Sequence, residues 1–379
     1  MFRLQTAIQA HERVVLFPTY AYRSADGCHW HVDVHGWIFV TKERSLVHNG
    51  LFRLLRSWLG LKDKDIESAT LRTRLRPFVA DNRHGKHVAI RLGQHVYQMP
   101  ESQPNGHFRH TLEIPVDVFE TLRHENGQDT NWLSFQLLLP DGDPREITGR
   151  FELISERGIS VITDIDDTIK ITGVTNRREL LMNTFLREFR VVPSMSAVFQ
   201  RLAEHGASFH YVSSSPWQLF EPLGALFEQD GFPAGSFHLR NFRLKDGNLQ
   251  QYLAGSEEQK RAAIEEIFAA FPQRQFVFFG DSGEQDPELY VELAQRYPEK
   301  ILRICIRNSH GEMHDDDRFA RIFKDLANDR WVVFDDANEL LSDERWMADV
   351  EETKPRMNAT RLTSASSVEP SSPKSDERR

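Results

Sequence analysis

The sequence predicts an α/β protein, with a doubly wound, mainly parallel sheet over residues 151–350 behind a β-sandwich-like region over residues 1–150. Three observations predict it. From residue 159 onward, short apolar runs rich in Val, Ile and Phe alternate with amphipathic segments of helical period, the pattern of strands joined by crossover helices. Before residue 150, short strand-like runs follow one another, separated by turn clusters such as Asn82 to Gly85 and Pro140-Asp141-Gly142-Asp143. The apolar runs of the second half also end in polar clusters, at the carboxyl ends of strands where open α/β sheets place their ligands.

The N-terminal elements come first. Val14 to Arg23 reads as a strand with a turn-prone Pro18, and residues 30–41 alternate as a half-buried antiparallel strand, with His31, Asp33 and His35 between Val32, Val34 and Trp37. His29, His31 and His35 share one strand face, but no cysteine or acid pair completes a zinc site around them. Residues 46–60 switch to helical period with Leu51, Leu54, Leu55 and Trp58 on one face, a helix expected to pack on the sheet. Strands are expected at Phe78–Ala80, Val88–Leu92, Phe108–Ile114 and Leu133–Leu139.

In the second half, strands are predicted at Ile159–Thr163, Ser208–Val212, Phe237–Phe242, Phe276–Phe279, Ile301–Ile306 and Trp331–Phe334. Helices are predicted at Ser194–His205, Pro216–Asp230, Ser256–Phe271 and Asp286–Arg296, with Gly206, Gly231 and Pro272 as stop signals. Residues 351–379 turn to Ser, Pro, Glu, Lys and Arg and are expected to be a disordered tail.

Composition narrows the function classes. A hydrophobic fraction of 40%, with 27% charged residues, is ordinary for a globular protein of 379 residues. The net charge of −9 argues against general nucleic-acid binding. The two cysteines, Cys28 and Cys305, lie far apart, with Cys305 in an apolar run as a small buried hydrophobe, which fits a reducing, cytoplasmic setting. Neither a signal-peptide pattern nor an apolar run of about 18 residues is legible, so a lipid substrate would be met from the water side, as peripheral membrane contact.

The chemistry concentrates in four places, each ending or following a strand: Asp164, Asp166 and Thr168; Ser213-Ser214-Ser215; Lys260, at the front of an amphipathic helix; and Gly280-Asp281-Ser282-Gly283-Glu284-Gln285-Asp286. Acids packed as closely as Asp164, Asp166 and Asp167 repel one another unless a cation or a shared proton sits among them. A calcium loop of the EF-hand type would need Gly and Glu where Ile169 and Thr175 stand. The Gly280-Asp281-Ser282-Gly283 run resembles a serine-protease nucleophile segment but lacks the accompanying histidine and aspartate segments. What the four places supply together is the equipment of phosphoryl transfer: a carboxylate nucleophile able to form an aspartyl-phosphate, carboxylates for Mg²⁺, a lysine as point charge, and hydroxyls and amides around the equatorial oxygens.

The order Asp164-x-Asp166-x-Thr168, Ser213, Lys260 and Gly280-Asp281-x₄-Asp286 resembles the four-motif signature of the haloacid dehalogenase superfamily of phosphatases. The longer blocks Gly158 to Lys170, Tyr211 to Trp217 and Phe279 to Tyr290 are similar to the phosphatidate phosphatase catalytic domain of the actin-patch-associated type and its bacterial relatives. The resemblance covers about residues 150–345 and reaches the N-terminal region only loosely. It implies a superfamily fold with a small cap or none, and it implies roles. Asp164 would be nucleophile and Mg²⁺ ligand. Asp166 would be general acid/base with its main-chain carbonyl on the metal, and Thr168 would brace the loop. Ser213, or Ser214 in its place, would bind the phosphate. Lys260, with Lys245 as rival, would neutralise charge, while Asp281 and Asp286 would complete the metal site and Asp167 would be structural. The implied activity is a Mg²⁺-dependent phosphomonoester phosphatase acting on phosphatidate, with a sugar phosphate or phosphoprotein as alternative substrate and a non-catalytic adaptor as the alternative class.

Neither the stretch Ile171 to Pro193 nor the turn Lys245 to Gly255 is long enough for a cap domain, so the site is expected to be open and to suit a phosphate carried on something large. In the first stretch Leu180, Leu181, Met182, Phe185 and Leu186 lie beside Arg177, Arg178, Arg187 and Arg190. They are read either as a lipid-touching flap or as a helix packed on its own domain. Arg240, Arg243 and Lys245 form a second basic group that either meets substrate or stays solvated.

Overall fold

A computed structural model of the protein describes residues 8–41, 55–57, 59–60, 68–125, 131–242, 257–309 and 316–343. Two sheets organise these residues. The first contains β1 (Arg13–Phe17), β2 (Thr19–Arg23), β3 (His29–Val40), β4 (Asp81–Asn82), β5 (Ala89–Leu92), β6 (His95–Gln98), β7 (His107–Pro115), β8 (Trp132–Leu137) and β9 (Thr148–Leu153). Pro18 divides the expected Val14–Arg23 strand into β1 and β2, because it has no N–H for the ladder.

These nine strands hydrogen-bond as one sheet in the order β1-β3-β2-β9-β8-β5-β6, with β4 and β7 attached to β3. The pairings are antiparallel except that β2 and β9 run parallel. The sequence suggested a sandwich of two sheets; the strands instead join in a single path, because β3 is long enough to pair with β1, β2, β4 and β7 along its length.

The second sheet contains β10 (Ile159–Thr163), β11 (Ser208–Pro216), β12 (Ser236–Arg240), β13 (Gln275–Asp281), β14 (Ile301–Arg307) and β15 (Trp331–Phe334). All its pairings are parallel, in the order β12-β11-β10-β13-β14-β15. Helices Met195–Glu204, Phe220–Gln229, Glu257–Ala270 and Asp286–Arg296 connect the strands, as their apolar periodicity predicts. Val161, Val277 and Phe279 enter one core cluster, whereas Ile162, Phe276 and Phe278 enter another, so the sheet is covered on both faces. Cys305 is fully buried, and burial pushes its thiol up to about 12, as suits an inert small hydrophobe.

Strand β3 joins the two halves. Its Val32, Val34 and Ile38 enter the core of the first sheet, while Trp37 and Phe39 of the opposite face pack in the same cluster as Val161 and Phe279. The alternation in its sequence therefore reflects two different buried faces rather than one wet and one dry.

Several other expectations change. Phe78–Ala80 is not a strand; Arg76–Val79 forms a 3-10 turn started by Pro77. Strands β6 and β9 and the helix Val116–Glu125 were not read from the sequence. In the stretch 171–193 a helix spans Arg177–Phe185, and its Leu181 and Phe185 are fully buried, with Leu180, Met182 and Leu186 packed against the same core. The packed-helix alternative holds, and Leu181 and Phe185 are not a lipid-facing surface. Leu55 is helical and buried, whereas Leu51, Leu54, Trp58, Arg243, Lys245, Ser256 and the 351–379 tail lie outside the described residues.

Candidate active site

The site lies where the chain order of the second sheet reverses. From β10 the chain moves to β11 and β12 on one side, then crosses back to β13 on the other. The carboxyl ends of β10, β11 and β13 therefore part around a crevice, the usual ligand position of such sheets. Asp164 follows β10 directly, its N–H donating to the Phe279 carbonyl at 2.9 Å. Ser213 sits on β11 and Asp281 ends β13.

The crevice floor is a cluster of acids around one cation. Carboxylate oxygens of Asp164, Asp281, Glu284 and Asp286 all lie within 4.8 Å of one another. Lys260 Nζ reaches Asp164 Oδ1 at 2.8 Å, Asp286 Oδ1 at 2.6 Å and Glu284 Oε2 at 2.9 Å. Burial alone would lower the Lys260 ammonium, but Asp164, Asp286 and Glu284 outweigh it and keep it protonated far above the usual range. Burial raises Asp164 and Asp281 well above the ordinary carboxylate range, and neighbouring acids add to the rise. Glu284 is raised as well, by burial first. Gly280 is required by this packing, because a Cβ there would stand 2.7 Å from both Cβ and Oδ2 of Asp286.

The donor set fits a hard divalent cation. One ammonium faces four carboxylates, and both Asp164 oxygens and Asp281 Oδ1 are buried without a hydrogen-bond donor among the described residues. Buried carboxylate oxygens left in that state are costly, and an oxygen-ligated ion satisfies several at once.

Asp166 has a different environment. Its Oδ1 lies 2.7 Å from Lys170 Nζ and accepts from Thr172 Oγ1 at 2.7 Å, while its Oδ2 accepts from Ser215 Oγ at 2.6 Å and Ser213 Oγ at 3.3 Å. Burial works to raise this carboxyl, but Lys170 and the hydroxyls bring it down to about 2. Asp167 adopts φ 57°, and its carboxylate accepts from the backbone N–H groups of Thr172, Gly173 and Val174 at 2.7, 2.9 and 2.6 Å. The loop is thus braced by Asp167. Thr168, expected to do this, has its hydroxyl buried without a hydrogen-bond partner among the described residues.

The structure brings Asp164, Lys260, Asp281 and Asp286 into one cluster and sets Asp166 beside Ser213. Ser213 and Ser214 both line a cavity of about 310 Å³ together with Lys260. Ser213 accepts from the Ser215 N–H at 3.0 Å while donating to Asp166, and Ser214 also lines a second, smaller cavity with Asp166 and Glu284. Sequence reasoning missed Glu284, Lys170, Thr172 and Ser215. Each is within a few positions of a recognised motif, and the available signal was a charged or hydroxyl residue one helical or loop turn away from an acid. Arg240 is buried and lines both cavities, so the solvated alternative for it does not hold.

Residues 159–308 match the family model described as phosphatidate phosphatase APP1, catalytic domain. The chain is 35% identical over 178 residues to phosphatidate phosphatase APP1 of Saccharomyces cerevisiae, covering 46% of this chain and 30% of that protein. It is 36% identical over 160 residues to an uncharacterized protein of Schizosaccharomyces pombe, covering 41% of this chain and 26% of the relative. The chain thus spans less than a third of the length of these relatives. A HAD family hydrolase from Salmonella enterica serovar Typhi is a distant structural likeness, with a TM-score of 0.23 and 10% identity over 48% of this chain and 72% of that one, too weak to carry an argument. The likeness to the phosphatidate phosphatase catalytic domain therefore rests on sequence, and it spans all four motif positions.

Proposed function

We propose that this chain is a Mg²⁺-dependent phosphatase that removes a phosphoryl group from a phosphomonoester through an aspartyl-phosphate at Asp164. The observation that carries the reading is the contact of buried Asp164 with Lys260 inside a cluster of four acids. Asp164, Asp281, Glu284 and Asp286, with the main-chain carbonyl of Asp166, are the residues that would hold the ion. Bound there, Mg²⁺ would screen the negative charge shared by a carboxylate nucleophile and a phosphate.

The remaining work falls to side chains. Lys260 supplies a fixed positive charge beside the attacking oxygen. Ser213 or Ser214 donates to a phosphate oxygen, aided by backbone N–H groups at the end of β11. Attack by Asp164 on phosphorus forms the acyl phosphate and releases the alcohol, and water then breaks the new P–O bond. Asp166, held ionised by Lys170, is in the form that accepts the proton of that water. The family resemblance assigns it the donating half of the cycle as well.

The relatives support phosphatidate as substrate, with diacylglycerol as product; a sugar phosphate or phosphoprotein is the alternative. Among the described residues no helix is long and apolar enough to cross a membrane, so a lipid would be met by peripheral contact, in the cytoplasmic setting expected from cysteine usage. The division into a β-rich region over 1–150, a phosphatase region over 151–350 and a tail belongs to this same proposal. Hydrolysis of phosphatidate, lysophosphatidate, sugar phosphates and phosphopeptides with Mg²⁺, by the wild-type chain and Asp164→Asn, tests it. Turnover lost in the variant supports the enzyme reading; equal turnover in both overturns it and leaves the adaptor.

A further inference from the structure

We infer that the N-terminal sheet recognises the alcohol part of the phosphomonoester, taking an oxygen-bearing glycerol-like group in a cavity whose other wall is the phosphatase site. The inference rests on the catalytic reading above and adds to it a function for the N-terminal region.

The cavity of about 310 Å³ is lined on one side by Ser213, Ser214 and Lys260 and on the other by residues of the first sheet, among them Gln103, Asn105 and His107. A group bonded to a phosphate that lies against Ser213 and Lys260 thus has this second wall within the same enclosed space. The wall is built to hold its position. Arg109 of β7 donates through Nε to Asp33 Oδ1 at 3.0 Å and through Nη1 to Glu266 Oε2 at 3.1 Å, tying the first sheet to the helix that carries Lys260. Asn105 Nδ2 reaches Asn241 Oδ1 across the gap at 3.4 Å. The loop bearing Gln103 and Asn105 is closed by the hydrogen bonds Gln103 N–H to the His107 carbonyl at 2.7 Å and Gly106 N–H to the Gln103 carbonyl at 2.8 Å.

The chemistry of this wall selects the ligand. Amide and imidazole groups donate to and accept from hydroxyl, ether and ester oxygens, whereas a hydrocarbon group would leave them unpaired. Size selects further. At the share of about 30 Å³ that a water occupies in the liquid, the cavity has room for about ten non-hydrogen atoms. That suffices for a phosphate with the three-carbon unit of glycerol and excludes long acyl chains. A glycerol phosphate unit arrives either as a free polyol phosphate or as the headgroup of a lipid whose chains stay outside.

The test is a specificity ratio. kcat/KM is measured for glycerol 3-phosphate, for dioctanoyl phosphatidate and for phenyl phosphate, with the full wild-type chain, Gln103→Ala and Gln103→Ala/Asn105→Ala. The ratio of either glycerol ester to phenyl phosphate is expected to fall about tenfold in the double variant and less in the single one. Loss confined to glycerol 3-phosphate identifies the free ester as the source, and loss confined to phosphatidate identifies the lipid. Ratios unchanged for both esters overturn the inference. If the wild-type chain hydrolyses none of the three, the catalytic reading fails by itself. The same ratios are then taken from dissociation constants by calorimetry, where a preference for the glycerol esters that falls in the double variant sustains the inference and its absence overturns it. Gln103 has an exposed side chain, so Gln103→Ala guards against a loss caused by misfolding.

Discussion

Lys260 Nζ stands 2.8 Å from Asp164 Oδ1, with both side chains out of reach of solvent. The same ammonium is shared with Asp286 and Glu284, so one positive charge serves three of the four clustered acids. Its loss leaves those acids facing one another in a place where neither water nor another ammonium compensates them.

Replacing Lys260 with Met is therefore expected to destabilise the metal-free protein by about 3–5 kcal/mol, the usual cost of breaking a buried ion pair from one side. Phosphatase turnover should fall with it. Chemical denaturation with and without Mg²⁺ checks the first part, and saturating Mg²⁺ should return part of the lost stability, since a second cation then occupies the acid cluster.

The raised acids give the metal-free protein a distinct pH dependence. Asp164, Asp281 and Glu284 have folded-state values above their unfolded ones, so they favour the folded state fully below the unfolded carboxylate range. That contribution is lost as pH rises from about 4 through their raised values. Asp166, lowered to about 2, has the opposite sign: its contribution is present above about 4 and is lost as pH falls toward 2. Mg²⁺ should release protons on binding and bind more weakly as pH falls. Calorimetry in buffers of different ionisation enthalpy measures the released protons, and Glu284→Gln should reduce both the release and the affinity.

Gly280 is the tightest backbone approach at the site. A Cβ there meets Asp286 at 2.7 Å and displaces the carboxylate that Lys260 holds. Gly280→Ala is expected to weaken Mg²⁺ binding about 10–100-fold, as disruption of groups that orient metal ligands does. Titration of the metal followed by thermal shift reads this directly.

Leu181 decides between surface and core for the Arg177–Phe185 helix. It is fully buried, so Leu181→Ala should cost about 2–5 kcal/mol of stability in urea denaturation. A stability unchanged by the substitution, with vesicle binding reduced, would restore the lipid-facing flap.

The catalytic half of this molecule was legible because each motif ends a strand whose sequence is nearly all apolar. Ile159–Thr163 and Gln275–Asp281 could be placed from their β-branched and aromatic residues, and the acids at their ends followed from the rule for parallel sheets. Asp164 and Lys260, ninety-six positions apart, were paired on motif order, and they meet in space. Glu284 and Lys170 were not legible: a charged residue in a loop is ordinarily solvated, and only folding shows that it turns inward. The helix Arg177–Phe185 misled because its five clustered apolar residues fit a lipid face and a core face equally well. The N-terminal wall was hidden for a longer-range reason. Strand β3 alternates as a half-wet strand would, and the second buried face exists only because another sheet covers it.

The central claim is that Asp164 itself receives the phosphoryl group. Its most direct measurement is borohydride reduction of the enzyme, acid-quenched during turnover with Mg²⁺, followed by peptide mass spectrometry, since reduction of an aspartyl-phosphate leaves homoserine at the modified position. The account predicts homoserine at position 164 in the wild-type chain, dependent on added substrate and absent from Asp164→Asn. Sustained turnover with homoserine at another acid, or with none at 164 under conditions that trap acyl phosphates, would contradict it.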